Sequence, residues 1–502
     1  MKKTLLLSIL FLLNLSAGIA QSSAYPPLVH HNDVGRAGIT GSLSYHEGTQ
    51  EYEISGSGSN IWLNKDEFHF VWQKIKGDFI IQGRMQLIGK GTEAHRKAGL
   101  MIRESLDTSA VMTAATIHGD GLTALQYRKK AGANVEEQRS GVSAPDMVQL
   151  ERKGNLFIMS VARYGDPYET IQTTEVPLGE EVYAGMFICS HNNAVIEKAT
   201  FSNVRIVLPA PATLQPYKEY LGSHIETLEV STGKRRVEFT DWSRSLQAPN
   251  WMPDGKSLLF NSEGLIYTMP LKDKTPAVLT TGSIQQNNND HVISFDGKWL
   301  GLSSSSGTAE EGSLVFLVPL KGGVPKRITD KGPSYLHGFS TDGKWMTYTG
   351  LRNKEYDIYK IPSAGGQEIR LTDAPGLDDG SEYSPDGKYI YFNSVRSGNM
   401  QLWRMNPDGS GQEQITHDTF NNWFPHISPD GKWIAFISYQ SDVAPGDHPF
   451  YKKVYLRLMP ADLSAAPHVI AYVYGGQGTI NTPSWSPDSK RIAFVSNSGK
   501  WQ

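Results

Sequence analysis

Three histidines stand at nearly the same place in a sequence repeat, and their spacing is the first sign of chemistry. His291, His337 and His426 each lie five or four residues ahead of the aspartate of a turn, at Asp296, Asp342 and Asp430. Matching places in other repeats carry Pro249-Asn250, Ser381-Glu382 and Pro483-Ser484. Imidazole nitrogen beside carboxylate or amide oxygen suits a divalent transition metal. His291, His337, His426 and, from a neighbouring loop, Gln477 are therefore candidate ligands, and the expected cofactor is a divalent metal: Mn²⁺, Zn²⁺ or Ca²⁺. His448, in an insertion over residues 439–451, and Glu382 are candidates for base and acid, because proton transfer needs a positioned group titrating near the working pH. Arg396 would orient an anionic group with its guanidinium fork. Arg352, Asp378, Asp379, Trp423, Asn422 and Gln285 fall in loops of the same face as candidate substrate contacts, with Asp290 and Tyr335 nearby. Taken singly, each histidine reads equally well as a loop cap, and each arginine as a strand-edge salt bridge.

The elements that would bring these residues together are the repeats. FPHISPDGKWIAF at residues 424–436 recurs as NWMPDGKSLLF from Asn250, VISFDGKWLGL from Val292, GFSTDGKWMTY from Gly338, EYSPDGKYIYF from Glu382 and SWSPDSKRIAF from Ser484. The turn aspartates, Asp254, Asp296, Asp342, Asp386, Asp430 and Asp488, are separated by 42, 46, 44, 44 and 58 residues. Asp-Gly favours the positive φ that hairpins need, and a period of about 40–50 residues with several strands per unit is the mark of a propeller blade. Outer strands follow each turn, as in DIYKIPS with EIRLT and QLWRMNP with EQIT. The sixth copy stops early, whereas residues 224–240, HIETLEVSTGKRRVEFT, supply the missing outer hairpin. The ring is thus expected to close at six blades, which removes open edges. Residues just ahead of each innermost strand would converge on the mouth of the central channel.

The SPDGK turn and the T-(D/H) exit, seen in Leu371-Thr372-Asp373 and Ile415-Thr416-His417, resemble those of TolB-like six-bladed propellers over residues 220–502. The resemblance implies fold more than activity, because propellers host binding modules and enzymes alike. His291, His337, His426 and Gln477 are also similar in kind to the metal site of the oligogalacturonate lyases. That family has seven blades, and its local motifs do not match this sequence residue by residue.

The first half alternates short β-type runs, at 68–72, 79–87, 98–103, 111–117, 122–128, 147–152, 156–162 and 182–188, with turn signals. Such spacing predicts a sandwich. KAGLMIRES from Lys97, AATIHGDGLTALQYR from Ala114 and MFICSHNNAVIEKATFSNVRI from Met186 resemble concanavalin-like, laminin-G-like jelly-roll modules. The expected fold class is all-β: a β-sandwich (jelly roll) over 28–207, a proline-rich linker over 208–219 and a six-bladed β-propeller over 220–502. His95, Arg103, His118, Asp120, Arg128 and His191 of the sandwich read as groups satisfied within turns and strand edges, and no metal-ligand spacing stands out among them.

At 502 residues the chain exceeds one ordinary core. A net charge of -3 gives no electrostatic reason to bind nucleic acid or an anionic membrane. Residues 1–20 read as a secretory leader, with Lys2 and Lys3, an apolar run over 5–15 and Gly18-Ile19-Ala20 before the cut. That run is short for a membrane span, no lipid-bearing cysteine follows, and Cys189 has no internal disulfide partner. A periplasmic or secreted protein is expected, with no membrane span after cleavage. The sequence points to a glycan-active protein, a metal-assisted lyase or hydrolase taking acidic oligosaccharide or polysaccharide, with the jelly roll as accessory. The alternative is a non-enzymatic TolB-like envelope scaffold gripping a protein or glycan partner.

Overall fold

The computed structural model describes residues 25–173, 175–308 and 311–501. The expected leader at 1–20 lies outside the described residues. Every named element is a strand, and among the described residues no helix is long and apolar enough to cross a membrane.

The repeat's turn is a small cage. Ser428 Oγ donates to Asp430 Oδ1 at 2.6 Å, Lys432 N donates to the same oxygen at 3.2 Å, and Trp433 N donates to Ser428 Oγ at 3.0 Å. Gly431 takes φ 73° inside it, a conformation that glycine reaches without a Cβ clash. Ser340–Asp342 and Ser384–Asp386 build the same cage. The exit threonine stitches outer strands: Thr329, Thr372 and Thr416 accept the backbone N–H of Val315, Ile358 and Leu402 at 2.9, 2.9 and 2.8 Å.

Five blades are four-stranded, with innermost strands Gln247–Trp251, Asn287–Ile293, Ser334–Phe339, Asp378–Tyr383 and Asn421–Ile427. In the sixth, Arg491–Ser498 pairs with Gly222–Glu229 and then Lys234–Asp241, so the early hairpin completes the last blade as expected. The innermost strand there is reduced to one bridge, Trp485↔Ile492. Apolar clusters fill the gaps between consecutive blades. Leu259 of the first meets Leu300 and Leu302 of the second, and Ile225 and Ala493 of the sixth meet Leu258 and Phe260 of the first. Each buried leucine or phenylalanine contributes about 1.5–3 kcal/mol, so the ring is held by its own closure.

Near the mouth every one of these five innermost strands slips register. The breaks fall between Gln247 and Asn250, Asn287 and His291, Leu336 and Gly338, Asp379 and Glu382, and Trp423 and His426. A β-bulge of this kind re-aims the side chains around it. Ala248, Gly380 and Phe424 absorb it with φ of 51°, 69° and 56°.

The N-terminal part consists of two seven-stranded antiparallel sheets around a shared core. One contains Phe68–Lys76, Glu181–Cys189, Lys97–Arg103 and Met112–His118, and the other contains Leu156–Ala162, Met147–Lys153, Phe79–Leu87 and Glu197–Val207. Leu100 and Ile102 of the first share a cluster with Phe79, Ile81 and Leu150 of the second. Arg103 and Arg128 converge on buried Asp66. This part packs on the propeller through Glu226, which accepts from Arg205 and Arg235 at 2.7 Å each, and through Tyr168 against Tyr472. The two arginines outweigh the cost of burial and hold Glu226 ionised.

Candidate functional site

A cavity of about 630 Å³ opens at the propeller mouth. Tyr217, Tyr220, Tyr335, Phe424 and Phe450 supply aromatic walls, and Gln247, Asn287, Asn288, Asn289, Gln477 and Asn481 supply amides. Asp290, His337, Asp379 and His448 meet inside it, and Glu263 adds a third carboxyl to its lining. His337 Nε2 lies 3.0 Å from Asp379 Oδ1, and His448 Nε2 lies 4.0 Å from Asp379 Oδ2. Thr349 Oγ1 and Gly380 N also donate to Asp379, at 2.6 and 2.8 Å. The ring of His337 stacks on Phe424, and His448 sits edge-on to Trp423.

This crowding divides the protonation states. Burial opposes the His337 imidazolium, but Asp379 and Asp290 outweigh it and raise the ring's pKa. Burial likewise pushes Asp379 up, but His337, His448 and Thr349 bring it down to about 2. Asp290 has no such anchor. Burial, opposed by His337 and reinforced by Asp379, takes it up to about 7. One carboxyl is therefore ionised and the other carries a proton near neutrality, the usual basis for separate acid and base roles.

The predicted metal set does not assemble. His337 and Gln477 line the cavity, but His426 uses Nδ1 on Glu382 at 2.7 Å and Nε2 on the Ile480 carbonyl at 2.7 Å. His291 is fully buried in the wall and held below its ordinary pKa, at about 4. The reason is strand parity. His291 and His337 stand five residues before their turn aspartates, but His426 and Glu382 stand four before, and adjacent strand residues face opposite ways. His291 is also paired in register with Leu302, whereas His337 falls inside its bulge and is turned to the channel.

Several other assignments are corrected by position. Glu382 serves His426 and the amide of Ile427. Arg396 binds Asp378 at 2.6 Å and lies over Phe392 and Trp403. Arg352 forms a pair with Glu368 at 2.8 Å and reaches the Pro333 carbonyl. Asn422 ties Gln401, Thr416 and Asp418 together, and Trp423 is wholly buried. Gln285 is exposed and does not line the cavity. Of the predicted site residues, His337, Asp379, His448 and Gln477 do line it. The tyrosines of the proline-rich connector were missed, as was Phe424 with its left-handed backbone. Asp290 and Tyr335, which the sequence places near these candidates, line the cavity as well.

A family profile described as TolB beta propeller domain matches residues 337–447. The uncharacterized protein Atu1656 of Agrobacterium fabrum is 46% identical over 274 residues, 54% of this chain and 92% of that protein. The solved structure of a protein provisionally assigned as TolB, from Agrobacterium tumefaciens, is 44% identical with a TM-score of 0.53, covering 56% of this chain and 99% of that one. An oligogalacturonate lyase in complex with manganese shares 11% identity with a TM-score of 0.39, covering 75% of this chain and 96% of that one. That last likeness carries no argument about chemistry.

Proposed function

The chain belongs to the TolB-like β-propeller family, and from that premise we propose that the propeller mouth is an acid–base site for an uncharged, hydroxyl-rich ligand, which makes the protein a glycan-active hydrolase or lyase. The observation behind this reading is that two of the three carboxyls lining one cavity are driven apart, Asp290 raised to about 7 and Asp379 lowered to about 2. Asp290 can give a proton near neutrality, and the ionised Asp379 orients His337 beside it. Aromatic faces and amides suit sugar rings and their hydroxyls.

Acidic oligosaccharides fit less well. Among the described residues neither lysine nor arginine lines the cavity, and ionised Asp379 would repel a uronate. The predicted ligands do not converge, so we route no step through a metal at the mouth. We take the periplasm or the cell exterior as the compartment, on the leader-like residues 1–20, and the two-sheet part over 28–207 as a concanavalin-like accessory module joined by residues 208–219.

Incubation with neutral and uronic-acid polysaccharides tests this, read by reducing-end release for hydrolysis and by unsaturated product for elimination. Release from a neutral glycan is expected, with Asp290→Asn and His337→Ala lowering it by about 10²–10⁴. If no neutral glycan is bound or cleaved, the reading fails. The acidic mouth with its aromatic rim favours one other occupant, a basic peptide of an envelope protein. That reading predicts capture without product, unchanged in Asp290→Asn.

A further inference from the structure

The sandwich holds a second cluster of histidines, away from the mouth. His118 ends the strand Met112–His118, Asp120 lies in the turn that follows, and His95 precedes the neighbouring strand Lys97–Arg103. One potential ligand atom from each of His95, His118 and Asp120 lies within 4.8 Å of the others. His118 is 5% exposed, and among the described residues neither of its ring nitrogens has a hydrogen-bond partner. A buried imidazole without partners is costly, and a ligand that accepts both histidines and the carboxylate removes that cost.

We propose that His95, His118 and Asp120 form a binding site for a divalent transition metal of the Zn²⁺ class. His95 Nδ1 and Asp120 Oδ2 stand 3.7 Å apart, too far for a hydrogen bond and close to the separation of about 3.3 Å between two ligands of a tetrahedral Zn²⁺. Asp120 Oδ1 accepts from Leu122 N at 3.0 Å, which fixes the carboxylate and leaves Oδ2 for the ion. Such an outer contact orients a ligand, as is usual around metals. The His95 and His118 rings are 5.6 Å apart between centroids and perpendicular, and His191 flanks His95 at 5.7 Å as a further imidazole. The nearby cations are Lys97, held by Asn60 Oδ1 at 2.8 Å, and Arg96, which is paired with buried Glu197. Two imidazoles and one carboxylate leave open positions for water, and His118 also lines a groove of about 570 Å³.

The test is titration of untagged full-length protein with ZnCl₂ by calorimetry and with Co²⁺ by visible absorption, after treatment with a chelator. One equivalent should bind, and Zn²⁺ should raise the melting temperature. His118→Ala should weaken binding by at least about 100-fold, the upper end of what loss of an outer contact costs. Asp120→Asn, at an exposed turn where folding is safe, should weaken it by at least about 10-fold. His31→Ala is the control, because His31 Nδ1 and His69 Nε2 face each other at 3.2 Å and could also attract the ion. Unchanged affinity in Asp120→Asn and His118→Ala, loss of binding only in His31→Ala, or no binding at all would overturn the proposal.

Discussion

The propeller mouth and the histidine corner of the sandwich each bring two imidazoles near a carboxylate, and they differ in what the buried ring can hold. His337 has Asp379 at 3.0 Å, whereas both nitrogens of His118 lack a partner among the described residues. The electrostatics follow the geometry. Asp379 and Asp290 raise the pKa of His337 despite burial, while burial, with the nearby Lys97 charge, lowers His118 to about 3. The same residue type thus becomes a proton-holding group in one place and a vacant ligand in the other. Neighbouring charge decides which.

Removing the partner at the mouth should produce the largest effect. Asp379→Ala leaves a buried imidazole, and the protonated Asp290 near it, without the charge that organises them. Breaking a buried pair in this way costs about 3–5 kcal/mol, seen as a lower melting temperature at pH 6, and mouth activity should fall with it. The change at the corner, Asp120→Asn, neutralises a carboxylate whose side chain is 38% exposed and should leave the metal-free melting temperature nearly unchanged. Equal losses from the two variants would show that the two sites are not organised differently.

The comparison also predicts opposite slopes with pH. Because His118 is lowered to about 3, the folded state binds fewer protons there than the unfolded state between that value and about 6.5, so this group's contribution to stability rises with pH. Asp290 is raised from 3.8 to about 7, so the folded state keeps a proton that the unfolded state has released, and its contribution is lost as pH climbs through 7. Asp290→Asn should remove that loss. Relative to the wild type, the variant should gain up to about 4 kcal/mol between pH 4 and pH 8, on about 1.4 kcal/mol per pKa unit. Melting temperatures across that range check it, and parallel curves would mean that Asp290 titrates normally.

Much of the fold was legible because the repeat states it locally. The SPDGK cage, the exit threonine and the early hairpin completing the last blade are short-range chemistry, and all are in place. The site was less legible because it depends on side-chain direction within bulges. Positions five and four before the turn aspartate look interchangeable in a sequence, yet a one-residue step reverses the face. That step separates His337, in the cavity, from His426, in the wall. For Arg352 and Arg396 the sequence leaves ligand contact and strand-edge salt bridge both open, and the salt bridge forms: Glu368 and Asp378 lie 16 and 18 residues away in the chain and meet them only after folding. The sandwich cluster carries no sequence signal for a similar reason. His95 precedes one strand and His118 ends its neighbour, and no spacing rule links them.

The smallest predicted effect concerns the rim, where the two regions differ in shape as well as charge. Tyr217 reaches the mouth from the proline-rich connector, is 66% exposed and touches Phe450 edge-on at 5.1 Å. An exposed ring of this kind contributes little to folding, so Tyr217→Ala should move stability by less than about 0.5 kcal/mol. A sugar or side chain stacked on it would lose about 1 kcal/mol, roughly a 5-fold weaker Kd at the mouth. Zn²⁺ affinity at the corner should be untouched, because its ligands come from strand ends and a turn in the other half of the chain. Calorimetry of both ligands on the one variant measures this directly, and any change in Zn²⁺ binding would mean that the two sites communicate across the Glu226 interface.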